Sequence, residues 1–314
     1  MLRLTVLILS LWLTACSGEP SSLQAPDDKT TRPTRIVSLD YCADQYVLKL
    51  SDRDQILAVS PDAVEGFSYM REEAVGVPTV RPVAEDVLIL KPDLVVRSYG
   101  GGANAVAFFE RAGVPVLQVG WASNVDSEEL GSIPSLIQHM ADGLGQGDRG
   151  QALVNEFRTR LNTLQARSQG DEALYMTPAG VTTGPGSLVH EMLVAAGLQN
   201  FQTSSGWRSL PLERLAYEQP DLIAAAFFET LTNHPNAWSP TNHPVARAQL
   251  KGPDVVPLQG AWTACGGWFI LDAIEALAEG AAERPWRAGS PPALLWLAGW
   301  RSLWPAFSAR PLFL

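Results

Sequence analysis

Short apolar runs, each closed off by turn residues, occur along the chain in two sets with one long amphipathic stripe between them. The first set is RIVSL, ILAVS, DLVVRS and PVLQVG, ending near Gly120; the second is EALYMT, DLIAAAF and DVVPLQ. Runs this short and apolar, alternating with helix-like segments, are expected of parallel strands, whose crossover helices bury both faces of the sheet. Between the sets, Leu153, Phe157, Leu161 and Leu164 recur at steps that place them on one face of a helix. Glu156 and Arg160 stand at the spacing that favours an ion pair on another face. QGDRG before the stripe and SQGDE after it read as breaks. The pattern predicts two α/β lobes with parallel sheets, joined by a single long helix from about Gln151 to Arg167. By residue number the lobes are expected over 35–145 and 170–283, with the linking helix inside 146–169.

The two ends of the chain read differently from its middle. MLRLTVLILSLWLTACSGEP has a basic residue at Arg3, then an apolar run from Leu4 to Leu13 that is too short to cross a bilayer. It reads as an export signal, residues 1–16, rather than a membrane-spanning anchor. LTAC resembles the bacterial lipobox, so Cys16 is the expected lipidation site, holding the protein on a membrane surface. Residues 17–34 are polar and rich in Pro and Ser, as a flexible tether should be. At the other end, residues 284–314 contain no Asp, Glu or Lys but carry Trp286, Trp296, Trp300 and Trp304. The last three repeat every fourth residue, on one side of a helix. A membrane-surface helix is the sharper reading of this tail; a loosely packed or unselected extension is the plainer and preferred one. The net charge of −10, with no basic cluster, argues against nucleic acid as a partner.

Each lobe contains the same kind of phrase, VAEDVLILKPDLVVRSY in the first and PLERLAYEQPDLIAAAF in the second. Each reads as a short helix ended at Pro92 or Pro220, with Asp93 or Asp221 opening a turn into a buried strand. These phrases fall in order with RIVSLDYCADQYVLKL, ERAGVPVLQV, TTGPGSLVHEMLVAAGLQN and AWTACGGWFILDAIEAL. In that order, from roughly Thr34 to Glu283, the chain resembles the substrate-binding proteins of ABC importers for cobalamin, ferric siderophores and haem. The resemblance implies two Rossmann-like lobes bridged by one long helix, a transported cobalt or iron chelate rather than a resident cofactor, and an ABC permease with its ATPase as partners. It also implies no enzymatic activity and an exported, membrane-attached location.

In that family the ligand sits between the lobes, at the turns after the strands, where parallel sheets bind ligands on general grounds. The turns here hold Asp40, Tyr41 and Cys42; Ser60 and Pro61; Tyr99 with Gly100 to Gly102; Trp121; Gly184 to Ser187; Trp207; and Trp262 to Cys265. The resemblance places ligand contacts at Tyr41, Cys42, Tyr99, Trp121, Trp207, Trp262 and Cys265. Flat rings suit a large chelate because they bury much area at little entropic cost. Glu85 and Glu213 stand at equivalent points of the two phrases, where the resembling receptors pair Glu with Arg on the permease. A purely structural role for both is a helix N-terminal acid. Arg97 and Arg208 are the nearest cations to these turns, without the Arg cluster that would suit an anionic catecholate. No His stands in a strand-end turn, so the family's binders of bare zinc or manganese fit poorly. His234 and His243, each in an NHP phrase, read as turn and helix-start residues, and His190 as packed or solvated.

Other classes carry weaker signatures. Ser187 and His190 stand three apart, but the G-x-S-x-G elbow of a hydrolase is absent and a Ser there reads as a helix cap. A lipid-anchored scaffold, or a redox- or metal-sensing protein on the same fold, remains as the alternative. By the family layout Cys42 follows the first strand of one lobe and Cys265 the last strand of the other. They are then a disulfide tying the lobes nearly shut, a pair of soft metal ligands, or two unrelated small residues.

Overall fold

The computed structural model describes residues 32–126, 131–165, 170–228, 238–252 and 254–283. Cys16, the tether up to residue 31, His234 and the Trp-rich stretch 284–314 lie outside those residues. In the N-terminal lobe the strands are β1 (Ile36–Ser38), β2 (Ile56–Ala58), β3 (Leu94–Arg97) and β4 (Val116–Gln118), one for each apolar run of the first set. They form a parallel sheet in the order β2-β1-β3-β4. Helices α1 (Tyr41–Leu50), α2 (Ala84–Ile89), α3 (Ala105–Arg111) and α4 (Ile133–Gly143) accompany it.

The linking helix is α5 (Gly147–Gln165). Its stripe of Leu153, Phe157, Leu161 and Leu164 is buried, as the spacing requires. It begins inside QGDRG, where a break was expected, because Gly150 is used for packing and not for a turn. A side chain there would collide with Ala141 of α4, so its absence lets the two helices approach closely. The expected Glu156–Arg160 pair is also corrected. Arg160 turns to the C-terminal lobe, reaching Asp272 at 2.9 Å and Glu275 at 2.8 Å.

The C-terminal lobe contains β5 (Glu172–Met176), β6 (Val181–Thr183), β7 (Gln199–Asn200), β8 (Trp207–Ser209), β9 (Leu222–Ala226) and β10 (Val255–Leu258). Its parallel sheet runs β10-β9-β5-β7, while β6 and β8 pair antiparallel beside it. The helices are α6 (Leu188–Ala195), α7 (Leu212–Leu215), α8 (Pro244–Gln249), α9 (Gly260–Thr263) and α10 (Ile270–Ala282).

The repeated phrases play the same part in each lobe. The Asp93 carboxylate accepts from the Arg35 amide at 2.9 Å, and that of Asp221 from the Glu172 amide at 3.0 Å. Each Asp thereby pins the start of its own strand to the start of the neighbouring strand, which satisfies a strand-end amide the ladder leaves unpaired. One contiguous apolar core runs from Ile36 and Tyr46, through Phe157 and Leu161 of α5, to Tyr175 and Ile274. The lobes therefore share packing through the linking helix instead of hanging from it.

Candidate functional site

Each parallel sheet changes the direction of its strand order once, between β1 and β3 in one lobe and between β5 and β9 in the other. Connections leave such a point in opposite directions and open a crevice at the carboxyl ends of the strands. In the N-terminal lobe a buried carboxylate organises that crevice. Asp40 caps α1 by accepting from the Ala43 amide at 3.0 Å. Its other oxygen accepts from the amides of Ser98, Tyr99 and Gly100 at 2.7, 3.0 and 2.8 Å. This one side chain thus binds the turn after β1 to the turn after β3. It sets the Tyr41 and Tyr99 rings 5.9 Å apart, with Phe67 edge-on to Tyr41 at 4.9 Å. Burial, reinforced by Asp40, pushes the Tyr41 hydroxyl up, and burial and Tyr41 push up that of Tyr99. Both phenols are therefore neutral at physiological pH, and Tyr99 remains 50% exposed.

The glycine run after Tyr99 is a backbone requirement. A Cβ at Gly100 would collide with the Leu39 carbonyl oxygen, and Gly101 and Gly102 have φ of +78° and +81°. Arg97 is spent on this loop: buried, it donates to the Gly100 and Gly102 carbonyls at 2.7 and 3.2 Å. It is not a free cation facing a ligand. Arg208 is exposed and donates to the Ser205 carbonyl. Ser60 is held from below by buried Asp44, which accepts from its amide at 3.1 Å and its hydroxyl at 2.5 Å. Desolvation raises the Asp44 carboxyl to about 6.

In the C-terminal lobe Trp207 opens β8 and is 60% exposed, with Tyr175 edge-on at 6.4 Å. Trp262 lies in α9, past the carboxyl end of β10, half-buried against the main core. Trp121 is 87% exposed after β4, and no ring among the described residues lies against it. Ser187 caps α6, accepting from the His190 amide at 3.1 Å and donating to the Gly184 carbonyl at 3.0 Å. The His190 ring meets Asn200 at 3.3 Å instead of Ser187, so the pair forms no nucleophile and base. His243 starts α8 by accepting from the Val245 amide at 3.3 Å. No group of three or more His, Cys, Asp or Glu suited to a metal ion occurs among the described residues.

One residue of the crevice escapes a motif-by-motif reading. Phe227 follows β9 directly and has φ of +66°, a left-handed conformation that costs a bulky residue about 1–2 kcal/mol. Superposing PDLIAAAF on PDLVVRSY puts Phe227 at the place of Tyr99. The repeat therefore contained the signal.

Cys42 and Cys265 form a disulfide with Cα atoms 5.6 Å apart. In that state neither sulfur is a thiolate, and so neither can act as a soft metal ligand. Around the bond the segment after α9 packs on the N-terminal lobe. The Tyr46 hydroxyl donates to the Gly266 carbonyl at 2.7 Å, and Tyr69 stacks on Phe269 at 4.8 Å. Tyr69 also donates to Asp272 at 2.8 Å, the carboxylate that Arg160 of α5 holds. Of the three readings of the pair, the disulfide is the one the structure contains; it staples the packed junction of the lobes while the Tyr99 and Trp207 rings stay half or more exposed.

Glu85 and Glu213 are exposed, in the first turns of α2 and α7. Among the described residues no helix is long and apolar enough to cross a membrane.

A family model described as a periplasmic binding protein matches residues 36–227. A cobalamin-binding protein of Halobacterium salinarum is 26% identical over 225 residues, covering 67% of this chain and 59% of that protein. The chain thus spans less than two thirds of that relative. Among solved structures, the periplasmic heme-binding protein RhuT from Roseiflexus sp. RS-1 superposes with a TM-score of 0.60 at 21% identity, over 79% of this chain and 98% of RhuT. The periplasmic vitamin B12 binding protein BtuF of Vibrio cholerae gives 0.60 at 20% identity, over 81% and 99%. At these identities the two structures establish the shared fold.

Proposed function

The chain belongs to the periplasmic binding protein family, whose members bind solutes and are not enzymes, and from there we propose that it captures a metal chelate between its lobes for delivery to an ABC permease and its ATPase. The chelate is a cobalt corrinoid or a ferric siderophore, with haem the third candidate. The observation that carries the reading is the set of aromatic side chains at the strand ends of both lobes. Tyr41 and Tyr99 stand at the switch point of the N-terminal lobe and Phe227 follows β9 at that of the C-terminal lobe, with Trp207 edge-on to Tyr175 of β5 and Trp262 past the end of β10. Tyr99 and Trp207, which stay exposed in the free protein, offer area to a large ligand without first being unpacked. Neutral phenols favour stacking and hydrogen bonding over direct capture of a bare ferric ion. The cobalamin-binding relative supports the corrinoid reading.

Delivery puts the protein outside the cytoplasmic membrane, lipid-anchored at Cys16 through a tether that starts at residue 17 and ends short of the expected residue 34, because Arg32 pairs with Asp52 and Thr34 bonds to Asp93. Glu85 and Glu213 are the docking acids, one per lobe, each meeting an Arg of the permease. The Cys42–Cys265 bond is consistent with an oxidising compartment.

The test is a fluorescence titration of the mature domain with cyanocobalamin, a ferric hydroxamate and haemin, after recording the absorbance spectrum of whatever the purified protein carries. One of these should quench the tryptophans with one-to-one stoichiometry and be recovered unchanged. Each of Tyr99→Ala, Trp207→Ala and Trp262→Ala should weaken binding by roughly 1–3 kcal/mol where the ring is an anchor. Undiminished affinity in the triple variant would sink the assignment.

A further inference from the structure

The docking acids have a companion that the repeat exposes. Aligning VAEDVLILKPDLVVRSY with PLERLAYEQPDLIAAAF sets Glu85 on Glu213 and, four residues on, Ile89 on Tyr217. Ile89 is 77% exposed and Tyr217 is 91% exposed, whereas the equivalent Val87 and Leu215 between them are buried. Ile89 ends α2; Tyr217 lies two residues past α7, where the Ala216 and Glu218 amides still bond back to the Leu212 and Arg214 carbonyls at 3.1 and 2.8 Å, so in both places four residues return the side chain to the side of the Glu. Each lobe therefore presents an acid with a large apolar side chain one turn beyond it. A single exposed apolar residue needs no explanation. Two at matching positions of a duplicated element, both beside a matching acid, do.

The charges around these positions sharpen the point. Asp86, next to Glu85, is neutralised by Arg81 at 2.7 Å. Arg214, next to Glu213, pairs with Glu218 at 2.6 Å and Glu172 at 3.6 Å. Glu85 and Glu213 have no ion pair among the described residues. In both lobes the neighbouring charge is used within the fold while the equivalent Glu is left to solvent. On the first lobe Val83, 44% exposed, widens the apolar patch around Ile89.

Resting on the docking reading above, we propose that Ile89 and Tyr217 are the apolar halves of two docking feet, each seated in an apolar recess of the permease beside the basic group that receives Glu85 or Glu213. The occupant is the membrane permease itself: two matching feet, one per lobe, fit a partner that presents the same recess twice. An exposed acid alone gives little affinity, since water and salt screen it. A large side chain buried next to it supplies the desolvated anchor that makes such a contact specific. The junction built from the Cys42–Cys265 bond, the Tyr46–Gly266 hydrogen bond and the Arg160–Asp272 pair holds the two feet at a set spacing.

The test uses the purified mature domain and the detergent-solubilised permease–ATPase complex of the same importer. Ile89→Ala and Tyr217→Ala should each weaken binding to that complex by about tenfold or more. Quenching by the chelate identified in the fluorescence titration should be unchanged. Val75→Ala, at a position 72% exposed but outside the repeat, should leave docking intact. A photo-crosslinking residue at position 89 or 217 should label the permease, and one at position 75 should not. If Glu85→Gln with Glu213→Gln abolishes docking while both Ala variants bind normally, the apolar feet are refuted and the acid pair stands. If neither set of changes affects docking, the docking face itself is refuted along with them.

Discussion

Breaking the Cys42–Cys265 bond is the most direct test of how the lobes are held. The bond closes a loop with a sequence separation of 223 residues. In the chain-entropy model a loop of that length restricts the denatured state by about 5 kcal/mol. The native state loses little else, because the Tyr46–Gly266 hydrogen bond, the Tyr69–Phe269 stack and the Arg160–Asp272 pair all remain at the junction. The mature, non-lipidated domain with Cys42→Ala and Cys265→Ala should therefore fold, but melt about 10–20 °C lower. In urea its m-value should rise, since an uncrosslinked denatured chain exposes more surface. Reduced wild-type protein should match the double variant in both respects. In a domain that begins after Cys16, thiol titration should find none in the unreduced protein and two after reduction in denaturant. Chelate affinity should change far less than stability, because the exposed rings do not depend on the bond for their rotamers. Equal stability of oxidised and reduced protein, to within about 1 kcal/mol, would refute the entropic argument. Two reactive thiols in the native protein, protected by a bound chelate, would instead show that the cysteines serve the ligand.

Two further outcomes are expected. Asp44 has a raised pKa, so the fold favours its protonated form: stability is full below the ordinary carboxylate range and falls as pH rises through about 6, by up to about 3 kcal/mol. Asp44→Asn keeps the shape and should flatten the drop in urea midpoint between pH 4 and pH 7.5; an unaltered slope would clear Asp44 of the effect. At Phe227 the positive φ reverses the usual order of small residues, so Phe227→Gly should be more stable than Phe227→Ala by about 1 kcal/mol. An Ala variant as stable as the Gly one would contradict the left-handed backbone.

All four strands of the first parallel sheet and three of the four in the second were legible, because a strand covered on both faces is written as an apolar run; the short, polar β7 of Gln199–Asn200 was missed. The β6–β8 pair was not legible either, since Trp207–Ser209 is exposed throughout and carries no apolar pattern. The family resemblance is borne out, and the strand-end turns were readable from it. What organises those turns was harder to see. Asp40 reads as an ordinary helix cap, and only the fold shows that its second oxygen gathers three amides some sixty residues away. Arg160 had a plausible partner four residues back, yet the better one lies on a helix that the chain reaches more than a hundred residues later. Local spacing could not anticipate it, because a partly buried Arg goes to the pair of carboxylates that can hold it. Phe227 is the opposite case: the repeat pointed to it, and only reading the phrases one by one concealed it.

The placement of rigidity explains how such a site can be both open and selective. The rings stand on turns fixed by full hydrogen bonding: Asp40 on one side, and the Gly184–Gly206 contact that backs Trp207 on the other. The lobes that carry them are joined by a covalent bond, a shared core and the Arg160 carboxylate pair. A ligand entering between them does not have to supply the free energy of closing a hinge or ordering a loop, costs that otherwise subtract directly from affinity. On the proposed reading, selectivity would follow from how well a ligand fits rings that the junction has already placed. A bare ion spans nothing and finds no cluster of His, Cys, Asp or Glu among the described residues. On the proposed reading, a chelate with a broad apolar face would meet the exposed Tyr99 ring of one lobe and the exposed Trp207 ring of the other, and the same junction would hold the two proposed docking feet at a set spacing.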